Sequence, residues 1–233
     1  MRKHTPIIGW PRRDPRHYRF PLPNAAWEYK LKPIEFVILS YLCCPHSRGG
    51  ANLSAEMIAK SIHMTVGTVK KYLTSLVSRE LITDGWSLAP AFQNTDDRKF
   101  FTLPNEIFLL NLPPSAFMVY AYLLLIEDRR THTCHPSYNT IAAETGMTKN
   151  TVIKNISVLL DAGLITMEHS QYFDKCGMKW KGNNLYTILP AQIAVDQFHQ
   201  QQLDQLELDA ERRRVRKRQE RFARDRPHVA PRP

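Results

Sequence analysis

The chain predicts a mainly α fold with small β wings, in which one unit of about 80 residues is stated twice and followed by a C-terminal helix. Three observations carry this expectation. The sequence repeats itself in order, each copy shows helical periodicity punctuated by capping residues, and the excess positive charge sits in two tails rather than in the body.

The repeat comes first. Phe20-Pro21-Leu22-Pro23-Asn24 stands 81 positions before Phe101-Thr102-Leu103-Pro104-Asn105. At that offset Leu31 matches Leu112, Pro33 matches Pro114, Phe36 matches Phe117, and Tyr41-Leu42 matches Tyr122-Leu123. A loop longer by two residues in the second copy changes the offset to 83. There Ser54 matches Ser137, Ile58-Ala59 matches Ile141-Ala142, Met64-Thr65 matches Met147-Thr148, and Thr68-Val69 matches Thr151-Val152. Lys71 matches Lys154, Leu76 matches Leu159, and Leu81-Ile82-Thr83 matches Leu164-Ile165-Thr166. The expected division is a basic arm over 1–19, a first unit over 20–103, a second over 104–190, and a helix with a basic tail over 191–233.

Within the second copy, Phe117, Tyr120, Ala121, Leu124 and Leu125 fall at helical spacing and predict a buried first helix over 116–127. Ser137 is placed to cap a second helix over 138–145, which Gly146 ends in a left-handed turn. Thr148 caps a third helix over 149–162, with Val152, Ile156, Leu159 and Leu160 on its core face. Gly163 ends that helix, and a strand begins at Leu164. The second and third helices with their short glycine turn make a helix-turn-helix. The strand at Leu164 and another over 184–189 make its wing, with Lys175, Lys179 and Lys181 expected on a long tip between them. In the first copy the helices are expected over 34–43, 55–62 and 66–79. Its wing is expected from Leu81 to Leu103, with Arg98 and Lys99 on the returning strand.

A helix that reads DNA offers donors and acceptors on the face away from its core. On the third helix of the second copy that face carries Lys149, Asn150, Ile153, Lys154 and Ser157. Thr148 and Thr151 stand at its start, where free backbone N–H groups and the positive dipole end favour phosphate. Asn150 is the expected base reader. The first copy offers Val66, Gly67, Lys70, Lys71 and Thr74 behind Thr65 and Thr68. This set is poorer in base-reading groups and is expected to hold phosphate. The aromatic residues Phe36, Tyr41, Phe117, Tyr120 and Tyr122 belong to the apolar stripes and are assigned to the core.

The stretch Leu112 to Glu168 contains Cys134-His135-Pro136-Ser137-Tyr138, Ile141-Ala142, Met147-Thr148-Lys149-Asn150-Thr151-Val152 and Ala162-Gly163-Leu164-Ile165. It resembles the winged helix-turn-helix domains of bacterial mobile-element proteins. These include plasmid and phage replication initiators, DnaD-like primosome proteins and small regulators of integrative elements. The resemblance implies a bacterial or phage protein that binds double-stranded DNA and serves replication initiation or transcriptional control. It covers 100–187 well and 20–103 more loosely. The first copy departs from the pattern at Gly67 and at Glu80, where the second has Gly163.

Charge restricts where the electrostatics act. The formal net charge is +10, yet residues 1–19 hold six Lys/Arg against one acid, and residues 211–233 hold ten against three. The body between them, with 16 basic and 18 acidic residues, is close to neutral. The N-terminal arm, with Arg12 and Arg13 among prolines, suits a minor groove or nonspecific phosphate contact. Residues 191–226 predict a long polar helix whose basic end carries Arg212, Arg213, Arg214, Arg216, Lys217 and Arg218. That end either frays, while the helix packs back on the second unit, or grips phosphate.

No run of about 18 apolar residues is present, nor a secretory h-region, so the expected location is cytoplasmic, with a nucleoid or plasmid association. The four cysteines, Cys43, Cys44, Cys134 and Cys176, form no CxxC pair and are expected to be reduced and structural. No metal or other cofactor is expected. The absence of a P-loop, of an HxE with CxxC, and of an HUH histidine pair argues against an enzyme. Winged helices also serve as docking surfaces, so replisome or helicase-loader proteins stay open as partners, as does a homo-oligomer.

Overall fold

The fold is held by two largely buried helices lying side by side, each the first helix of its unit. In this computed structural model the described residues are 19–44, 53–93, 99–173 and 179–224. Arg12, Arg13, Arg98 and Lys175 lie outside them.

The chain enters through strand β1 (Arg19–Pro23) and a 3-10 turn (Asn24–Trp27). Helix α1 (Pro33–Cys43) opens with a proline, whose missing N–H would have been unsatisfied there anyway. The Glu35 carboxylate accepts from the Lys32 backbone N–H at 2.9 Å and closes the first turn. Ser54 accepts from the Met57 N–H and caps α2 (Ala55–Ser61), while Thr65 does the same from Thr68 for α3 (Val66–Ser78). A single antiparallel bridge, Ile82 to Leu88, and a short helix α4 (Pro90–Gln93) complete this half.

The second half repeats the order with strand β2 (Phe100–Pro104), a 3-10 segment (Asn105–Leu110) and helix α5 (Pro114–Ile126). Strand β3 (Thr133–Cys134) precedes α6 (Tyr138–Thr145) and α7 (Lys149–Asp161), which are capped by Ser137 and Thr148. Strands β4 (Ile165–Phe173) and β5 (Lys179–Ile188) form a hairpin. With β3 they make a three-stranded antiparallel sheet in the order β3-β5-β4. Helix α8 (Ala191–Arg224) closes the described chain.

Two expectations are corrected. The strand returning through Lys99 does not pair with the one at Leu81. It continues into β2, which pairs antiparallel with β1, Phe20 opposite Leu103 and Leu22 opposite Phe101. The Asn24 N–H extends this ladder by donating to the Lys99 carbonyl at 2.8 Å. The reason is burial: Phe20, Leu22, Phe101 and Leu103 all point into the core, which a solvent-facing wing would not allow. The first unit's wing is thus reduced to the turn around the Ile82–Leu88 bridge. In the second unit, Lys179 and Lys181 are not on the wing tip. They stand within β5, opposite Phe173 and Gln171, so the paired strands run further than expected.

Helix α5 is buried from Ala116 through Leu124 on every side, as α1, α6, α7, β2 and β5 all pack on it. It is apolar all round for that reason. The first turns of α8 dock through Ala191, Ala194 and Val195 onto the 3-10 segment at Asn105–Leu110, and beyond Gln200 the helix is exposed almost throughout.

Candidate nucleic-acid interface

Helices α6 and α7 meet at a turn in which Gly146 takes a left-handed backbone (φ 66°). Only glycine adopts that conformation without steric cost. The Met147 N–H then bonds back to Ala142, and Thr148 starts α7. The Thr148 hydroxyl accepts from the Thr151 N–H at 3.2 Å and lies 2.8 Å from the Thr151 hydroxyl. This satisfies one of the orphan amides at the start of α7 and leaves the amides of the first turn turned outward.

The inner face of α7 is set by Val152, Ile156 and Leu159, all buried against α5. Its outer face carries Lys149, Asn150, Ile153, Lys154 and Ser157, all exposed, with Thr151 half-buried at the edge. Among the described residues neither Lys149 nor Lys154 has an acidic partner. Asn155 is a positioning residue that periodicity alone did not reveal. It is buried on the inner face, accepts from the Ser115 hydroxyl at 3.0 Å, and places its amide against the Met147 sulfur. A polar residue in a core row was the available signal.

In the first unit, α3 exposes Thr65, Gly67, Lys70, Lys71 and Thr74, with Thr68 half-buried. The Thr65–Thr68 cap reproduces the Thr148–Thr151 one, with the hydroxyls again 2.8 Å apart. Lys70 is occupied: its ammonium lies 3.2 Å from Glu56 of α2. The backbone N–H of Glu56 and then Lys70 hold that carboxyl below the usual range. Lys71 has no acidic partner among the described residues, and its ammonium stands 5.7 Å from the centre of the Tyr72 ring. Helix α3 is tied to α1 by the buried Glu35 carboxylate, which accepts from Ser75 at 2.7 Å and from Arg79 at 3.1 Å. Arg79 also donates to the Tyr29 carbonyl.

The β4–β5 hairpin leaves α7 directly. At its base the His169 ring pairs with the Asn184 side-chain oxygen at 2.9 Å, and the Asn184 amide donates to the Tyr186 hydroxyl at 3.0 Å. Lys179 and Lys181 lie on β5, and Lys99 is exposed just before β2. Arg212, Arg213, Arg214, Arg216, Lys217 and Arg218 are exposed on the free part of α8. There Arg212 pairs with Asp209 at 3.8 Å and Arg216 with Glu220 at 3.1 Å. The structure thus gathers the α7 residues on the outer face of α7 and the α3 residues on the outer face of α3, and leaves the α8 cations on the exposed part of that helix.

Residues 110–165 match a family of helix-turn-helix domains. The match runs from the end of the 3-10 segment through α5, α6 and α7 to the first residue of β4, so this part of the chain carries a helix-turn-helix domain. Among solved structures, the chain is similar to a possible transcriptional regulator from Methanosarcina mazei Go1. That similarity has 16% identity and a TM-score of 0.32, covering 50% of this chain and 93% of that one. No curated protein matches the chain. No helix among the described residues is long and apolar enough to cross a membrane.

Proposed function

We propose that the chain is a sequence-specific double-stranded DNA-binding protein built from two tandem winged helix-turn-helix units, with α7 as its main base-reading helix. The observation that carries this reading is the helix-turn-helix at 110–165, whose α7 turns Lys149, Asn150 and Lys154 outward, the two lysines having no acidic partner among the described residues. Asn150, one residue inside the helix, has the amide pair that fits the N6 and N7 edge of adenine. Lys149 and Lys154 contact guanine edges or phosphate. Helix α3, with Thr65, Thr68, Lys70 and Lys71, adds mainly backbone contact, and so do Lys99, the wing lysines and the α8 cations. The protein performs no catalysis in this role. It marks a site for replication initiation or transcriptional control of a mobile element.

Fluorescence anisotropy on duplexes selected from a random pool tests the reading. Lys149→Ala with Lys154→Ala is expected to weaken binding and to lower the slope of log K against log salt by about 1 for each phosphate no longer neutralised. Asn150→Ala is expected to relax preference at one base pair by about 1–3 kcal/mol. Equal, weak binding to every duplex rejects sequence recognition.

A further inference from the structure

The two units are related by rotation, not by translation along the chain. Under the sequence repeat, Phe20 is equivalent to Phe101 and Leu22 to Leu103. In the β1–β2 ladder Phe20 faces Leu103 and Leu22 faces Phe101, so each strand meets its own equivalent in reverse, and Pro21 faces its counterpart Thr102 at the centre. That register is the mark of a two-fold axis, as in an isologous dimer contact.

The aromatic core obeys the same axis. Trp27 is equivalent to Phe108 and Tyr41 to Tyr122. Trp27 touches Tyr122 at 5.6 Å and 71°, and Tyr41 touches Phe108 at 5.3 Å and 85°. Trp27 lies 6.4 Å from Phe101, and Phe108 lies 6.0 Å from Phe20. Phe36 meets its own equivalent, Phe117, at 6.2 Å, which places that pair on the axis. Helices α1 and α5 pack on each other, and α3 packs on α1 as α7 packs on α5. The backbones turn alike at three places in the two units. Lys30 and Asn111, His63 and Gly146, and Glu80 and Gly163 are equivalent pairs, and all six residues are left-handed.

We infer that one chain is an intramolecular pseudo-dimer whose ligand is a duplex carrying two half-sites in inverted orientation. The inference rests on the DNA-binding reading above and adds the geometry of the site. A rotation that carries α3 onto α7 presents the two helices to one duplex only when the protein axis lies along a local dyad of the DNA. A direct repeat would require a translation between the units, which the β1–β2 register and the Phe36–Phe117 contact forbid. The half-sites differ in sequence because α3 offers Val66 and Gly67 where α7 offers Lys149 and Asn150. The relation shows itself in the backbone contacts even where the bases do not repeat.

Hydroxyl-radical footprinting of the full chain on its selected duplex, with stoichiometry from native mass spectrometry, tests this. One chain per duplex is expected, with protections on the two strands related by a two-fold axis and centred about 10 base pairs, or a multiple of that, apart. Lys71→Ala and Lys154→Ala, at equivalent positions, should each remove protection, in opposite halves. Protections repeating in one orientation along a single strand, protection of one half alone, or a requirement for two chains per site would each overturn the inference while leaving DNA binding intact. No discrete protection on any duplex would bring down both.

Discussion

Two left-handed residues in the first unit carry a cost that the second unit avoids. His63 (φ 54°) and Glu80 (φ 58°) occupy the places of Gly146 and Gly163. A side chain in that conformation costs about 1 kcal/mol, of which glycine's greater freedom in the unfolded chain cancels roughly half. His63→Gly and Glu80→Gly are each expected to stabilise the protein by about 0.5 kcal/mol, read as a higher urea midpoint at constant slope. Gly163→Ala should destabilise it by about 1 kcal/mol, because the new methyl would also stand 2.9 Å from the Gln197 side-chain oxygen and must displace it. Cys134 is buried, and burial, with a smaller effect from Glu127, pushes its thiol from 9.0 up to about 12. The native protein holds that proton more tightly than the unfolded chain does. Its contribution is therefore complete below about pH 9 and is lost as pH rises toward 12. Alkylation of Cys134 in the native state at pH 8 should accordingly be slow and should accelerate on unfolding.

At the level of elements, the helices are positioned by short polar devices at their ends and by one buried polar tie in each unit. Thr148→Ala removes the cap of α7 and should cost about 1 kcal/mol in a denaturant melt. In the first unit the tie is the Glu35 carboxylate with Ser75 and Arg79, and in the second it is Ser115 with Asn155. Glu35 is 2% exposed, so Arg79→Ala would leave a buried carboxylate without its cation and is expected to cost about 3 kcal/mol. Loss of Asn155 should tilt α7 and weaken DNA binding without touching a base, and Asn155→Ser should restore part of it. These ties were not legible beforehand, because Glu35 and Asn155 are polar residues at inward positions whose partners lie 40 residues away.

Across the whole molecule, the two units share one core that runs from Phe20 to Val195. Helices α1 and α5 bury each other, and among the described residues the strand that pairs with β1 is β2. Calorimetry should therefore show a single unfolding transition with equal calorimetric and van't Hoff enthalpies. A fragment of residues 104–190 should fail to fold stably, because it would expose the side of α5 that faces α1. Circular dichroism of that fragment checks it, and independent native-like folding would defeat the expectation. The near-neutral body and the basic arm of α8 place the long-range electrostatics outside this core.

Periodicity, caps and turn glycines act over a few residues, and they sufficed to place all three helices of each unit within about two residues and the outer face of α7 residue by residue. The repeat likewise exposed the equivalence of the two units, because it is a property of residue order. The pairing of β1 with β2, the loss of the first wing and the rotation between the units were out of reach. Each depends on contacts between residues about 80 apart, and an apolar strand such as Phe101-Thr102-Leu103 is equally suited to either of two partners until the buried face selects one.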